Sequence, residues 1–328
     1  MFSLEKALSK MFPVVIFSLL CVFVLNGGTQ EPYPTRPVTM VCNFGTGAMM
    51  DIVTRTVSRI IEKDLGQPIV NENKPGAAGV IGKNFVLKSK PDGYTLGVTT
   101  TGTYLVVPHM RKLPFDVLTD VVDIAAICKY NFGLAVKSDA PWKTYEDIID
   151  FARKNPGKFT YACAGVGVTQ HICMERIAMK EGIKWTMVPF KSGGESVMAC
   201  LGGHTNAVVQ GSIDELPHIK AGKLKLLLVL NDSRWPDSQG TPHILEKGYD
   251  FYALSYISFY GPKGLPEPIR QKLEDAFKKA MKDPSFTDVM KQFQVESAYL
   301  SGKEYSAHWR SRYEEMGRVI KAIGLVEQ

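Results

Sequence analysis

Asn43-Phe44-Gly45-Thr46-Gly47-Ala48-Met49-Met50-Asp51 is the stretch on which the reading of this chain turns. An apolar run, Val38 to Cys42, enters it. An amphipathic pattern over Asp51–Leu65 leaves it, with Val53, Val57, Ile60 and Ile61 on one face and Gly66 as its stop. A strand that feeds a helix through glycines lets the backbone approach a ligand closely. It also aims the free N–H groups of the first helical turn at that ligand, where the helix dipole favours an anion. A second turn of the same kind, Ala164-Gly165-Val166-Gly167-Val168-Thr169-Gln170-His171, lies in the other half of the chain. Two anion-facing helix starts point to a cleft that closes on a small carboxylate.

The chain has 328 residues, of which 45% are hydrophobic and 22% charged, the profile of a globular protein. Lys6 and Lys10 precede the apolar run Met11–Leu25, too short for a comfortable membrane span, and small and polar residues follow. Residues 1–28 therefore read as a cleaved signal peptide, with an uncleaved anchor as the alternative. Leu20 stands where a lipoprotein signal ahead of Cys21 needs a small residue. No later stretch is apolar enough to span a bilayer, so the mature chain is expected to be soluble, exported and periplasmic. The net charge of +6 comes from interspersed acids and bases with no Lys/Arg block, so no nucleic-acid partner is expected. Five cysteines remain after cleavage, without a CxxC pair. They read as buried free thiols, with a Cys163–Cys173 disulfide as the alternative.

Strands and helices alternate along the chain. After the opening strand and helix come a strand at 69–72, a Pro/Gly-rich loop, a helix over 83–88 and a strand at 94–99. This βαβ rhythm implies mostly parallel sheets covered by helices. The rhythm restarts with strands at 133–136, 160–163, 207–210 and 224–230 and helices over 144–154 and 169–180. Ile124–Ile127 and Ala253–Tyr260 read as crossings between lobes. Helices over 267–281, 284–292 and 303–323 close the chain. The domains expected are lobe 1 from 31–130 plus 250–328, and lobe 2 from 131–249.

Enzyme motifs nearly form and each fails on a required atom. Gly45/Gly47 and Gly165/Gly167 begin like a dinucleotide fingerprint, but its third glycine falls on Met50 and Gln170. Gly82-Lys83 resembles the end of a phosphate loop, but Ala77 replaces the leading glycine and Asn84 the magnesium-binding hydroxyl. His171 and Cys173 make too small a set for a metal, so neither metal nor cofactor is expected. That pair is also the only plausible base and nucleophile, the basis of an alternative reading as a periplasmic enzyme acting on a small acid. Asp51 is expected to complement the helix dipole and cap N–H groups, since it would repel a carboxylate. Thr46, Thr99, Thr100, Thr101, Thr103 and Thr169 offer hydroxyls at or near strand ends, where open α/β sheets place ligands. Strand propensity is the plainer account of the 99–103 threonines. Ser192-Gly193-Gly194 adds a third small-residue loop.

Six motifs in order then carry a family resemblance: Tyr33-Pro34-Thr35-Arg36-Pro37, Glu72 to Gly82 (ENKPGAAGVIG), Pro91 to Leu96 (PDGYTL), Gly165 to His171 (GxGxxxH), Val188 to Lys191 (VPFK) and Pro217 to Lys223 (PHIKAGK). The chain resembles the substrate-binding receptors of tripartite tricarboxylate transporters, the Bug-type receptors. The resemblance implies an α/β type II periplasmic-binding-protein fold, with two α/β lobes, crossover hinge strands and a ligand cleft. It implies capture of a small organic carboxylate and delivery to a membrane permease of a large and a small subunit. A receptor that docks a signalling partner is the alternative, and a monomer is expected. The expected ligand contacts are Phe44, Thr46, Gly47, Ala48 and Met49; Thr100, Thr101 and Thr103; Gly165, Val166, Gly167, Thr169 and His171; Ser192 and Gly193; and Gln210. Departures from the family pattern are Ala48-Met49-Met50 in the first loop, Gln210 where Asp is frequent, and Ser255 to Phe259 at the hinge. Met50 is expected to pack in the core.

Overall fold

The computed structural model describes residues 33–238 and 240–326, so the expected signal peptide lies outside the described residues. Strand β1 (Val38–Cys42) leads into α1 (Met49–Leu65), β2 (Ile69–Asn73), α2 (Val80–Leu87), β3 (Thr95–Thr100), the short α3 (Thr101–Leu105) and α4 (Val107–Met110), and β4 (Val121–Lys129). The chain then passes through β5 (Phe132–Lys137), α5 (Tyr145–Lys154), β6 (Thr160–Cys163), α6 (Thr169–Glu181), β7 (Thr186–Pro189), α7 (Gly193–Leu201), β8 (Ala207–Gly211), α8 (Ser212–Lys220) and β9 (Leu224–Val229). It ends with β10 (Tyr256–Pro262), α9 (Glu267–Ala280), α10 (Pro284–Phe293), β11 (Glu296–Ser301), α11 (Gly302–Arg310) and α12 (Tyr313–Ala322).

Two sheets divide these strands. One has the order β11-β4-β10-β3-β1-β2 and the other β7-β6-β8-β5-β9. Each contains one strand that arrives from the other lobe and inserts near its middle. β10 runs antiparallel to both β3 and β4, and β5 runs antiparallel to both β8 and β9. The remaining ladders among β1, β2, β3 and among β6, β7, β8 are parallel. The expectation of mostly parallel sheets is therefore corrected to mixed sheets. A crossover strand reaches its sheet from the opposite end, so it must run against its neighbours.

Asn231 joins the two crossings. Its Nδ2 donates to the carbonyls of Tyr130 (2.7 Å) and Ala253 (3.2 Å), and its Oδ1 accepts from Phe132 N–H (2.6 Å). Tyr130 N–H also donates to Ser255 O at 2.8 Å. Both crossings are thus held at one place, as a hinge requires.

Local chemistry explains the element boundaries. Thr144 and Asp147 form a capping box at the start of α5. Gly66 and Gly182 take left-handed conformations that stop α1 and α6. The 303–323 segment is two helices, α11 and α12, with a break at Ser311–Arg312. Helix α2 begins at Val80, three residues before its sequence signal, because its start lies inside the Gly-rich loop. Buried Leu134, Phe159, Tyr161, Ile177, Trp185 and Val209 belong to the core of the second lobe; Tyr104, Leu105, Tyr260, Tyr305 and Trp309 belong to that of the first. All five cysteines in the described residues are buried and free. Among the described residues no helix is long and apolar enough to cross a membrane.

Candidate functional site

The two glycine turns have the same construction. Gly47 has φ 80°, and the residue after it, Ala48, is an extended N-cap with φ −69° and ψ 159°. Gly167 has φ 79°, followed by Val168 with φ −74° and ψ 155°. In each turn the glycine N–H donates to the side chain four residues on. Gly47 N–H meets Asp51 Oδ2 at 2.9 Å, and Gly167 N–H meets His171 Nδ1 at 3.0 Å. A positive φ favours glycine, and the closure holds the turn's shape before any ligand arrives.

The two closing groups are chemically different. Burial raises the Asp51 pKa, but hydrogen bonds from Arg55, Gly47 and Asn73 outweigh it and hold the carboxyl below its ordinary value. Arg55 Nε lies 2.9 Å from Asp51 Oδ1, and Asn73 Nδ2 donates to the same oxygen at 2.9 Å. Burial pushes His171 down to about 4, so it is neutral near pH 7. Its Nδ1 accepts, which assigns the ring proton to Nε2.

Part of the expected contact set already has partners within the fold. The N–H groups of Gly47 and Gly167 are already paired, as is His171 Nδ1. Thr101 accepts from Tyr256 N–H at 2.8 Å and bonds Tyr305 OH at 3.2 Å, so its hydroxyl holds the core together. Gln210 is buried, with Nε2 donating to Ser196 Oγ and Oε1 facing Gln170 Nε2 at 3.5 Å. Met49 and Met50 are both buried. Thr46, Gly47, Ala48, Val166 and Ser192 are exposed; Phe44, Thr100, Gly165, Thr169 and Gly193 are half-buried. Helix geometry leaves the first-turn amides at Met49, Asp51, Thr169, Gln170 and His171 without an intrahelical acceptor.

The β3–α3 turn brings the two glycine turns together. A Cβ on Gly79 would lie 3.2 Å from Thr103 Oγ1 and 3.4 Å from the Phe44 ring, so Gly79 seats the first loop against α3. Thr103 Oγ1 donates to Ala78 O at 3.4 Å, another internal use of an expected contact. On the other side a Cβ on Gly102 would lie 3.1 Å from Thr169 Oγ1 and 3.8 Å from Thr100 Oγ1. A Cβ on Gly167 would fall 2.2 Å from Met110 Sδ, so α4 packs on the second loop. A cavity of about 270 Å³ opens beside Gly102 and Thr169 and runs along Ile172, Arg176, Phe251 and Met316. Arg176 Nη2 bridges to Glu315 Oε1 at 3.2 Å across it.

Sequence reasoning missed Tyr130 and Asp214. Tyr130 leads into β5, stacks on Phe132 and covers Gly211. Its hydroxyl lies near the Met50 N–H of the first helix start. An aromatic residue between two crossing strands was its available signal. Asp214 sits just after a strand end, where its acid alone could have marked it.

The sequence matches the family model described as tripartite tricarboxylate transporter family receptor over residues 53–325. It is 34% identical over 297 residues to the UPF0065 protein in the gbd 5′ region of Cupriavidus necator, covering 90% of each chain. The fold matches the solved periplasmic binding protein BugD with a TM-score of 0.80 at 27% identity, covering 90% of this chain and 100% of that one. It also matches an R. palustris protein solved with adipate, with a TM-score of 0.81 at 26% identity, covering 89% and 98% of the two chains.

Proposed function

The chain belongs to the tripartite tricarboxylate transporter receptor family, and from that premise we propose that it is an exported periplasmic receptor for a small organic carboxylate. The ligand sits between lobe 1 (31–130 with 250–328) and lobe 2 (131–249), and the closed receptor, a monomer, delivers it to a permease of a large and a small subunit. The observation that carries this reading is the pair of glycine turns of like backbone construction, one packed near Thr103 and the other near Gly102 of the same short helix. A relative solved with adipate supports the carboxylate class.

Each helix start contributes roughly 0.3–1 kcal/mol to holding an anion, and each hydrogen bond to a charged group about 1.5–3 kcal/mol. Several of these, less the cost of ordering, suffice for micromolar affinity, which needs about 8 kcal/mol. Binding that favours the closed form shifts the population of lobes toward it. Catalysis finds little support in the side chains. His171 Nδ1 is already an acceptor, and burial pushes the Cys173 thiol up to about 12, so neither is poised as base or nucleophile.

The test is a thermal-shift screen of mono-, di- and tricarboxylates, aliphatic and aromatic. A ligand at about 100 times its Kd adds roughly 2.7 kcal/mol of stability. Thr169→Val is expected to weaken that ligand without unfolding the protein. Absence of a shift with every acid would count against the receptor reading.

A further inference from the structure

The closure that shapes both glycine turns recurs at two further helix starts and is replaced at α8. At α1, α5, α6 and α7 the third helical residue accepts from the N–H of the residue before the N-cap. The pairs are Asp51 with Gly47, Asp147 with Lys143, His171 with Gly167 and Glu195 with Lys191. At α8 the third residue is Asp214 and the N–H is that of Gln210. There the N–H donates instead to Glu215 Oε1 at 3.0 Å. Glu215 has taken over the structural role, and Asp214 makes no hydrogen bond or ion pair with any described residue.

The free carboxylate lies against the start of α7. Its Oδ2 stands 2.1 Å from where a Cβ on Gly193 would be, so it rests on the first turn of α7 in a space that only glycine leaves open. Tyr130, which reaches the first helix start, covers Gly211 on the same β8–α8 turn and feels the Asp214 charge. Burial without a counter-charge holds the Asp214 carboxyl up at about 6, so it is mainly ionised at neutral pH. An unpaired carboxylate repels a ligand carboxylate placed at Ser192–Gly193, which removes that loop as a third anion cradle. It favours a donor there instead.

We propose that Asp214 is a specificity-determining residue, whose carboxylate accepts a hydrogen bond from a hydroxyl or ammonium group on the bound carboxylate. The inference rests on the receptor reading above and narrows it to hydroxy or amino acids. It also restores to the β8–α8 turn the negative charge that the neutral Gln210 lacks.

Calorimetric titration of the mature protein with matched plain, 2-hydroxy and 2-amino dicarboxylates of four to six carbons tests it. In at least one matched set the hydroxy or amino member is expected to bind about tenfold or more tightly than the plain acid. Asp214→Ala should bring the members of that set within about twofold of one another, since the acceptor is gone. Asp214→Asn, which keeps an acceptor oxygen and loses the charge, should lower an ammonium preference more than a hydroxyl preference. Plain acids that bind as well as their partners in every set would overturn the assignment, as would a preference that survives Asp214→Ala. If no acid bound at all, the receptor reading would fall and this inference with it.

Discussion

Lys83 holds its Nζ 3.1 Å from the centroid of the Tyr104 ring and has no hydrogen-bond acceptor. The hydroxyl of the same ring donates to Asp123 Oδ1 at 2.8 Å, and Trp309 Nε1 donates to Asp123 Oδ2 at 2.9 Å. A buried amine and a buried carboxyl are thus joined through an aromatic ring rather than by direct contact. Burial pushes the Lys83 pKa well below its ordinary value, although Asp123 opposes the shift.

Lys83→Met is therefore expected to raise stability near pH 7 by on the order of 1 kcal/mol, because a lysine amine without an acceptor is costly to bury. The folded pKa of Lys83 is depressed, so its protonation penalises the folded state below the unfolded pKa. The advantage of Lys83→Met over the parent should shrink as pH rises toward 10. Tyr104→Phe removes a donor from buried Asp123 and should cost about 1.5–3 kcal/mol. Urea unfolding at several pH values measures both, and a gap that widened with pH would contradict the assignment.

His171 sets the acid limit of the second loop. Its folded pKa is depressed to about 4, so the stability it contributes is present above about 6.5 and is lost as pH falls through 4. The full effect is on the order of 3 kcal/mol. Protonation also places a proton on Nδ1 and breaks the Gly167 closure. Thermal melts of His171→Ala should show a weaker loss of stability between pH 6.5 and 4 than the parent.

Gly167 faces Met110 with no room for a side chain. Gly167→Ala should lower ligand affinity about tenfold or more and cost about 1–2 kcal/mol from its positive φ alone. Adding Met110→Ala should recover part of the affinity but none of the backbone strain. Calorimetry and melting of the single and double variants separate the two contributions.

Asn231 carries three hydrogen bonds at the crossings. Asn231→Ala leaves buried backbone groups unpaired and should destabilise by about 2–4 kcal/mol. Faster amide exchange confined to Tyr130, Phe132 and Ala253 would mark the loss as local to the hinge.

The parts of the fold most legible in the sequence were those with strong local signals. Val38–Cys42, Thr160–Cys163 and the α5 capping box could be read because apolar runs and cap residues act over a few positions. The missed elements lack such signals. β7 is a half-exposed edge ending in Pro189, α7 starts with two glycines, and α8 contains Pro217. Tertiary contacts made these elements, and a local pattern does not report them. The candidate site was proposed from two turns, but the competition for their donors was not legible. That Glu215 rather than Asp214 closes on Gln210 depends on side-chain geometry at adjacent positions, which composition and spacing leave undetermined.

The inserted strands impose an order on assembly. Every strand of the second sheet lies between residues 132 and 229, so that sheet has all its parts once β9 exists. The first sheet waits for β10 at 256–262, and until then β3 and β4 face a gap at its centre. A chain emerging from its N-terminus can complete the second sheet before the first. During that interval β3 is open on one side and β4 on both, and another chain could occupy those edges.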